Sequence, residues 1–427
     1  MKQVYLLSIL MAFAINFIAS AQDKEPTYGK TPEELVPYGR FKDPYIMHFL
    51  EPKEYLGPGR GDKVLKMPET VRIGFLGPLE RTENMELGKQ MLQGAMLAIE
   101  EANENGGFRG IPFELMLHND AGLWGAAANE IVKMDDEGVW GILGSIDGTV
   151  THVALRVALK VEIPMVNTGD SDPTLTETNI PWIIRVIGDD RQSSYALARY
   201  MINVKGHSKI AVLRVNNRYG RVGIGEFRDS ARRLGYPLVL EVRYTPGDST
   251  FTSQLNRIKQ SGADAVLIWP DNAETCAKII KEMSTMGLNI PTYGSDRVAT
   301  RKFITEAGDL ANGIVSTYPY NPNLQDDVLT EFNRKYNSKY GEEPDAFSAH
   351  SYDGMNILIS AIRQAGLNRV LIRDLLTDLE TFQGYKGVTG EITLDGSWND
   401  IGPIWMVEIE NGEFIFSATP DYKMQKP

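Results

Sequence analysis

Two short loops of small polar residues carry the groups in this sequence that could hold a small molecule. The first, Asp-Gly-Thr at 147–149, follows the apolar run 139–143, and the second, Gly-Asp-Ser at 169–171, follows the apolar run 163–166. A helix-like segment separates the two runs, so the stretch predicts a βαβ unit with parallel strands. Parallel strands end at the same edge of a sheet, where α/β proteins bind their ligands. We therefore expect the two loops to form one shelf of hydroxyl and N–H groups.

The sequence lacks the motifs of common enzymes. Gly223 and Gly225 stand close together, but Arg228 occupies the place of the third glycine of a dinucleotide-binding motif. No P-loop, nucleophile elbow or zinc-protease motif is present. The five histidines are scattered without metal-ligand spacing, and Cys276, the one cysteine, is expected to be a small core residue. We predict no catalytic role, no cofactor and no metal.

The amino-terminal residues indicate export. Lys2 precedes an apolar run that ends in Ala19-Ser20-Ala21, so residues 1–21 are predicted to be a signal peptide cleaved after Ala21. The alternative is a membrane anchor, but about 15 apolar residues fall short of the roughly 20 that span a bilayer. The net charge is −12 without a long basic run, which makes a nucleic-acid partner unexpected. A single cysteine excludes an intramolecular disulfide, so stability must come from the core.

Residues 22–69 differ in composition from the rest of the chain. Seven prolines and six aromatic residues occur between Gln22 and Pro68, without a helical or strand period. Proline fixes φ and lacks an N–H group, which argues against a long helix or a central strand. Because disordered segments are usually poor in aromatic residues, we expect an arm that packs on the protein or docks on a partner, with a free linker as the alternative.

From residue 70 onward, strand-like and helix-like segments alternate, which is typical of α/β folds. A chain of this length is expected to build two cores. We place the first lobe at 70–188 with 319–393, and the second at 189–318 with 394–427. The Asn411-Gly412 pair between two apolar runs predicts a terminal β-hairpin.

The ordered set of motifs resembles the type I periplasmic solute-binding proteins of ABC importers, such as the leucine/isoleucine/valine-binding type. The motifs are Ile73-Gly-Phe-Leu-Gly-Pro-Leu, Ile163-Pro-Met-Val, Arg218-Tyr-Gly and Tyr293-Gly-Ser-Asp. The resemblance implies two doubly wound parallel-sheet lobes joined by a hinge that closes on a ligand. It also implies a periplasmic location, a small-molecule ligand and an ABC transporter permease as partner.

The resemblance implies a set of ligand-binding positions in both lobes. These are Asp147, Gly148, Thr149, Thr151, Gly169, Asp170, Ser171, Tyr219, Trp269 and Asp296. The resemblance implies that an amino acid binds with its carboxylate at the hydroxyls of the first lobe and its ammonium at Asp296. Tyr219 or Trp269 would exclude water.

Several of these positions also have a structural alternative. The acids at 147 and 170 and the threonines at 149 and 151 are residue types that cap helices or form turns. Trp269 ends a strand that is expected to be buried, so it could belong to the core. Asp296 could instead pair with Arg297 or Arg301.

One departure from the family pattern bears on the ligand. The first loop has Asp147-Gly148-Thr149 where the family usually offers serines to a carboxylate. An ionised Asp147 aimed inward would repel a carboxylate. An α-amino acid is therefore one hypothesis, and a cationic or neutral amide-like ligand is another. A third keeps the fold but makes the chain a sensor or accessory subunit of an envelope complex, with the 22–69 arm as its docking element.

Overall fold

The computed structural model describes residues 55, 57–80 and 82–419. The predicted signal peptide, almost all of the predicted arm and the last eight residues lie outside the described residues. Among the described residues, no helix combines the length and apolar character needed to cross a bilayer.

The first lobe is built on a parallel five-stranded sheet. Its strands are β1 (Val71–Gly77), β2 (Phe113–Asn119), β3 (Ile142–Gly144), β4 (Met165–Asn167) and β5 (Ile183–Arg185), in the order β2-β1-β3-β4-β5. The crossover helices are α1 (Met85–Glu104), α2 (Trp124–Asp136) and α3 (Gly148–Val161). Separate apolar clusters cover the two faces of the sheet, as a doubly wound fold requires.

The second lobe repeats this plan. Its parallel strands are β6 (Ile210–Val215), β7 (Leu240–Tyr244), β8 (Ala265–Trp269), β9 (Thr292–Gly294) and β10 (Val315–Tyr318). The associated helices are α4 (Asp190–Arg199), α5 (Arg218–Arg233), α6 (Thr252–Ser261), α7 (Ala273–Thr285) and α8 (Arg301–Ala307).

After β10 the chain returns to the first lobe. It forms α9 (Asp327–Tyr340), α10 (Ala346–Ala365), α11 (Arg369–Thr377) and a small hairpin, β11 (Tyr385–Gly387) with β12 (Gly390–Ile392), which the sequence analysis did not anticipate. Helix α10 packs along α1. At Gly94 the two helices approach so closely that an added Cβ would lie 2.0 Å from the carbonyl oxygen of Ser348.

The chain ends its described part in the second lobe. Strands β13 (Trp405–Glu410) and β14 (Glu413–Ala418) form the predicted hairpin and extend the sheet to the order β14-β13-β10-β9-β8-β6-β7. Asn411 and Gly412 both have positive φ, 52° and 76°, as a type I′ turn requires. The predicted fold class, two α/β lobes on parallel sheets, is confirmed.

Candidate functional site

A polar cleft lies where the carboxyl ends of the two sheets face each other. It encloses about 530 Å³ of empty space, part of it open to solvent. The first lobe contributes residues after β3 and β4, and the second lobe contributes residues after β6 and β9. The walls include Asp147, Gly148, Asp170, Ser171, Tyr219 and Arg297. Both predicted loops therefore reach one cleft, as strand ends at a common sheet edge should.

The side chain of Asp147 caps the amino-terminal end of helix α3. Its Oδ1 accepts hydrogen bonds from the backbone N–H groups of Thr149, at 2.8 Å, and Val150, at 3.1 Å. Thr151 is buried and donates its hydroxyl to the backbone carbonyl of Asp147, at 2.9 Å. Thr149 is exposed, and neither threonine lines the cleft. Two N–H groups that could have met a ligand carboxylate are thus already occupied.

Asp170 is a buried acid with an unused oxygen. The residue is only 2% exposed, and its Oδ1 accepts from the N–H of Asp172 at 3.0 Å. Its Oδ2 has no hydrogen-bond partner among the described residues. Burial, reinforced by the charge of Asp172, raises the pKa of Asp170 to about 8. Gly169 is also buried and lies against Met91, where an added Cβ would come within 2.9 Å of the sulfur; it positions the loop.

The wall from the second lobe is built around Tyr219. Its hydroxyl donates to Asp296 Oδ1 at 2.6 Å and lies 2.9 Å from Ser295 Oγ. Burial, together with the charge of Asp296, holds the pKa of Tyr219 well above its usual value. Asp296 therefore already has a partner inside the protein. Trp269 is 1% exposed and does not line the cleft; its ring lies 5.7 Å from that of Tyr219 and supports it from the core.

Arg297 was considered in the sequence only as a partner for Asp296, yet it lines the cleft itself. Its guanidinium lies 5.1 Å from the ring centroid of Tyr219 and 5.5 Å from that of Phe347. The Nε and Nη1 atoms are buried and have no hydrogen-bond partner among the described residues. The other proposed partner of Asp296, Arg301, pairs instead with Glu413 at 2.6 Å.

Asp190 is a further wall residue that the sequence analysis did not select. It is 4% exposed and begins helix α4, where its N–H donates to the carbonyl of Ser171 at 2.8 Å. Burial and the nearby charge of Asp296 raise its pKa well above the usual value, while a hydrogen bond with Ser171 acts in the opposite direction. The sequence analysis placed the boundary between the lobes after residue 188, and Asp190, just beyond that boundary, lines the cleft.

An ion pair joins the two walls. Arg218 of the second lobe donates from Nε to Asp172 Oδ2 of the first lobe at 2.6 Å, and from Nη2 to Thr174 Oγ1 at 2.9 Å. Gly148 lies beneath this contact, since an added Cβ would stand 2.8 Å from Asp172 Oδ2. We call this contact the cross-lobe ion pair. It bridges the two lobes beside the cleft.

No cluster of three or more His, Cys, Asp or Glu side chains suited to a metal ion occurs within the part of the chain that the structure describes. The cleft can instead contact a small polar molecule through carboxylates, the guanidinium groups of Arg218 and Arg297 and the ring of Tyr219. The ten predicted ligand contacts stay predictions. Five of them line the cleft directly: Asp147, Gly148, Asp170, Ser171 and Tyr219.

Two doubly wound lobes that close a polar cleft between their strand ends define a hinged solute-binding protein. The chain belongs to the periplasmic binding protein family, since residues 70–413 match the model of that family. This confirms the resemblance drawn from the sequence, and the family is non-enzymatic. The family implies a periplasmic location and a small-molecule ligand.

Individual relatives agree with this placement. The chain is 24% identical over 344 residues to "Leu/Ile/Val-binding protein homolog 2" of Brucella abortus, covering 80% of this chain and 91% of that protein. It is 28% identical over 306 residues to "Amino acid binding protein" of Pseudomonas aeruginosa, covering 70% and 79%. Its fold is similar to that of the branched-chain amino acid transporter substrate binding protein LivJ from Streptococcus pneumoniae in complex with isoleucine, with a TM-score of 0.74, 23% identity and coverage of 81% and 97%.

Proposed function

We propose that this chain is a solute receptor of the cell envelope that closes on a small polar ligand, an amino acid or an amide-like compound, and delivers it to an ABC-type importer. The observation that supports this most is that, among the described residues, a carboxylate oxygen on one wall of the cleft and guanidinium N–H groups on the other have no hydrogen-bond partner. A buried polar group without a partner costs about 1–3 kcal/mol. A polar ligand that reaches both groups would remove that cost in the closed form.

The lining of the cleft suits a small polar solute. It combines carboxylates, the guanidinium groups of Arg218 and Arg297 and the ring of Tyr219. The relatives include proteins named for binding leucine, isoleucine and valine or amino acids, which supports an amino-acid-like ligand here.

A thermal-shift screen of the chain from residue 22 tests the receptor function. Ligand at about 100 times its dissociation constant should stabilise the folded state by roughly 2.7 kcal/mol. We expect at least one member of a panel of amino acids, amides, amines and sugars to raise the melting temperature. A panel without any stabilising compound would contradict the proposal. Delivery is tested by uptake: cells that lack this chain should lose import of the radiolabelled compound that binds it.

The accessory-subunit hypothesis has one specific observation in its favour. The described end of the arm is fastened to the first lobe at the edge opposite the cleft, where Tyr55 packs 5.3 Å from Trp182. Asn368 donates to the carbonyl of Gly59 at 3.0 Å, and Arg60 pairs with Asp374 at 2.6 Å. A partner held by the arm would therefore leave the cleft open.

Removing residues 22–54 separates the two functions. We expect this truncation to keep the ligand affinity of the full chain, because the contacts that fasten residues 57–64 remain. Import that continues without the arm would favour the receptor alone. Loss of a defined envelope partner together with unchanged ligand affinity would favour the accessory subunit.

A further inference from the structure

Two charged side chains that line the cleft, one on each wall, have buried atoms without a hydrogen-bond partner among the described residues. Asp170, 2% exposed, belongs to the first lobe, and its Oδ2 is such an atom. Arg297 belongs to the second lobe and has Nε and Nη1 buried without partners among the described residues. Once Asp170 is ionised its oxygens only accept hydrogen bonds, whereas a guanidinium only donates them. A ligand that satisfies both groups must therefore offer a hydrogen-bond donor to the first lobe and an acceptor to the second.

The first lobe is unsuited to a ligand carboxylate. Asp147 has taken two of the N–H groups at the start of α3, which removes much of the anion site that a helix N-terminus offers. Asp147 and Asp170 of this lobe both line the cleft, and an ionised acid at short range in a poorly hydrated site repels a carboxylate. A cationic group at this wall would be attracted by the same acids.

The second lobe is suited to a carboxylate and offers less to an ammonium. Two of its acids already accept from tyrosine hydroxyls, Asp296 from Tyr219 at 2.6 Å and Asp271 from Tyr244 at 2.8 Å. The Arg297 guanidinium lies over the Tyr219 ring. A guanidinium presents a rigid fork of N–H groups that matches a carboxylate in two parallel hydrogen bonds. The Nε and Nη1 atoms lie on different edges of the guanidinium, and neither has a hydrogen-bond partner among the described residues, so each edge still has an N–H group to donate to an acceptor.

We propose that the cleft binds a zwitterion with its ammonium at Asp170 in the first lobe and its carboxylate at Arg297 in the second. This inference rests on the proposed receptor function and deepens it. The polarity is opposite to the one that the family resemblance implied, in which first-lobe hydroxyls hold the carboxylate and Asp296 holds the ammonium. The ligand class is an amine carrying a carboxylate, whether the two groups share one carbon or are spaced further apart.

The test uses isothermal titration calorimetry on the full-length mature chain and two variants. Asp170→Asn keeps the Oδ1 that accepts from Asp172 and removes the negative charge, and Arg297→Gln removes the fork. The matched controls are Asp136→Asn on the exposed end of α2 and Arg301→Gln, whose side chain is 64% exposed. The probes are the twenty amino acids, β-alanine and γ-aminobutyrate. They are followed by the amide and the deaminated acid of whichever amino acid binds best.

We expect each variant to weaken the best amino acid by roughly 10- to 100-fold, while both controls leave its affinity unchanged. The loss from Asp170→Asn should disappear for the deaminated acid, and the loss from Arg297→Gln should disappear for the amide. Arg297→Lys, which keeps the charge, should recover part of the affinity.

The sign of the Asp170→Asn effect decides the orientation. If the variant binds amino acids more tightly, the carboxylate lies at the first lobe and the proposal is overturned while the receptor function stands. Binding of amines or neutral amides alone, without any zwitterion, would also overturn it and leave the receptor function intact. If no probe of any class binds, the receptor function fails together with the inference.

Discussion

The affinity of the cleft for a zwitterion should rise with pH because Asp170 must ionise to hold an ammonium. Burial and Asp172 raise the pKa of Asp170 to about 8; the charge of Asp147 acts in the same direction and Arg185 opposes it. Below that pH the free protein carries a protonated Asp170, and binding must expel the proton. At pH 6.5 this expulsion costs about 2 kcal/mol, since each unit between the pH and the pKa costs about 1.4 kcal/mol.

Calorimetry across a pH series measures this directly. The dissociation constant should fall roughly tenfold for each unit from pH 6 toward pH 8 and then level off. Titrations at pH 7 in buffers of different ionisation enthalpy should show nearly one proton released per ligand. Asp170→Asn should abolish the steep slope, because the remaining groups are unchanged. An affinity that falls as the pH rises would mean that a protonated Asp170 donates to a ligand carboxylate, and would refute the reasoning.

Three further outcomes follow from packing and burial. Gly94→Ala should destabilise the protein by roughly 1–3 kcal/mol in urea denaturation, because the close approach of α1 and α10 leaves no room for a methyl group. In the control Gly125→Ala the added methyl group meets open space, so this variant should be more stable by about 0.5–1 kcal/mol. Arg218→Gln should break the cross-lobe ion pair and raise the dissociation constant of the ligand by roughly tenfold. It should also increase the radius of gyration in X-ray scattering. The control Arg221→Gln, on the exposed face of the same helix, should change neither quantity. Burial raises the pKa of Asp400 to about 7, so its share of stability is present below about pH 4 and is lost as the pH rises through 7. Asp400→Asn should therefore be more stable than the wild type by roughly 2–4 kcal/mol at pH 8 and nearly equal at pH 4 in thermal melts.

The elements that the sequence predicted correctly have local sequence signals. The one hairpin that it did not predict depends on a contact between distant residues. Alternating strand and helix segments and the Asn411-Gly412 turn are local signals, and the structure shows the lobes and the hairpin that they predicted. The β11–β12 hairpin was not foreseen. Its strands are three residues long, and it is held by the carboxylate of Asp353 on α10, which accepts the N–H groups of Val388 and Thr389 at 2.9 Å. A contact across 35 residues of sequence leaves no local signal.

The sequence predicted which loops form the candidate site. It did not predict which contacts their side chains make. The acids after β3 and β4 reach the cleft because strand ends share an edge, which the sequence pattern implies. Whether Asp147 faces a ligand or its own helix depends on the rotamer, and here the side chain caps α3. Trp269 is held in the core, where Gly223 leaves space for its indole ring. Arg297 reaches the cleft only because Tyr219 and Phe347 flank it, and those residues lie far apart in the sequence.

The charges of the cleft also couple ligand binding to closure. In the closed form Asp190 is 4% exposed, and burial together with the nearby charge of Asp296 raises its pKa well above the usual value. Closure of the empty cleft therefore needs protons on Asp190 and Asp170, or it leaves like charges facing each other without water. The cross-lobe ion pair favours closure, but it involves other groups and leaves this repulsion in place. A ligand ammonium at Asp170 would replace the proton and lower the free energy of the closed form selectively. The ligand that fits the charges is thus also the one that shifts the hinge equilibrium, since a ligand moves such an equilibrium only by its differential affinity for the two states.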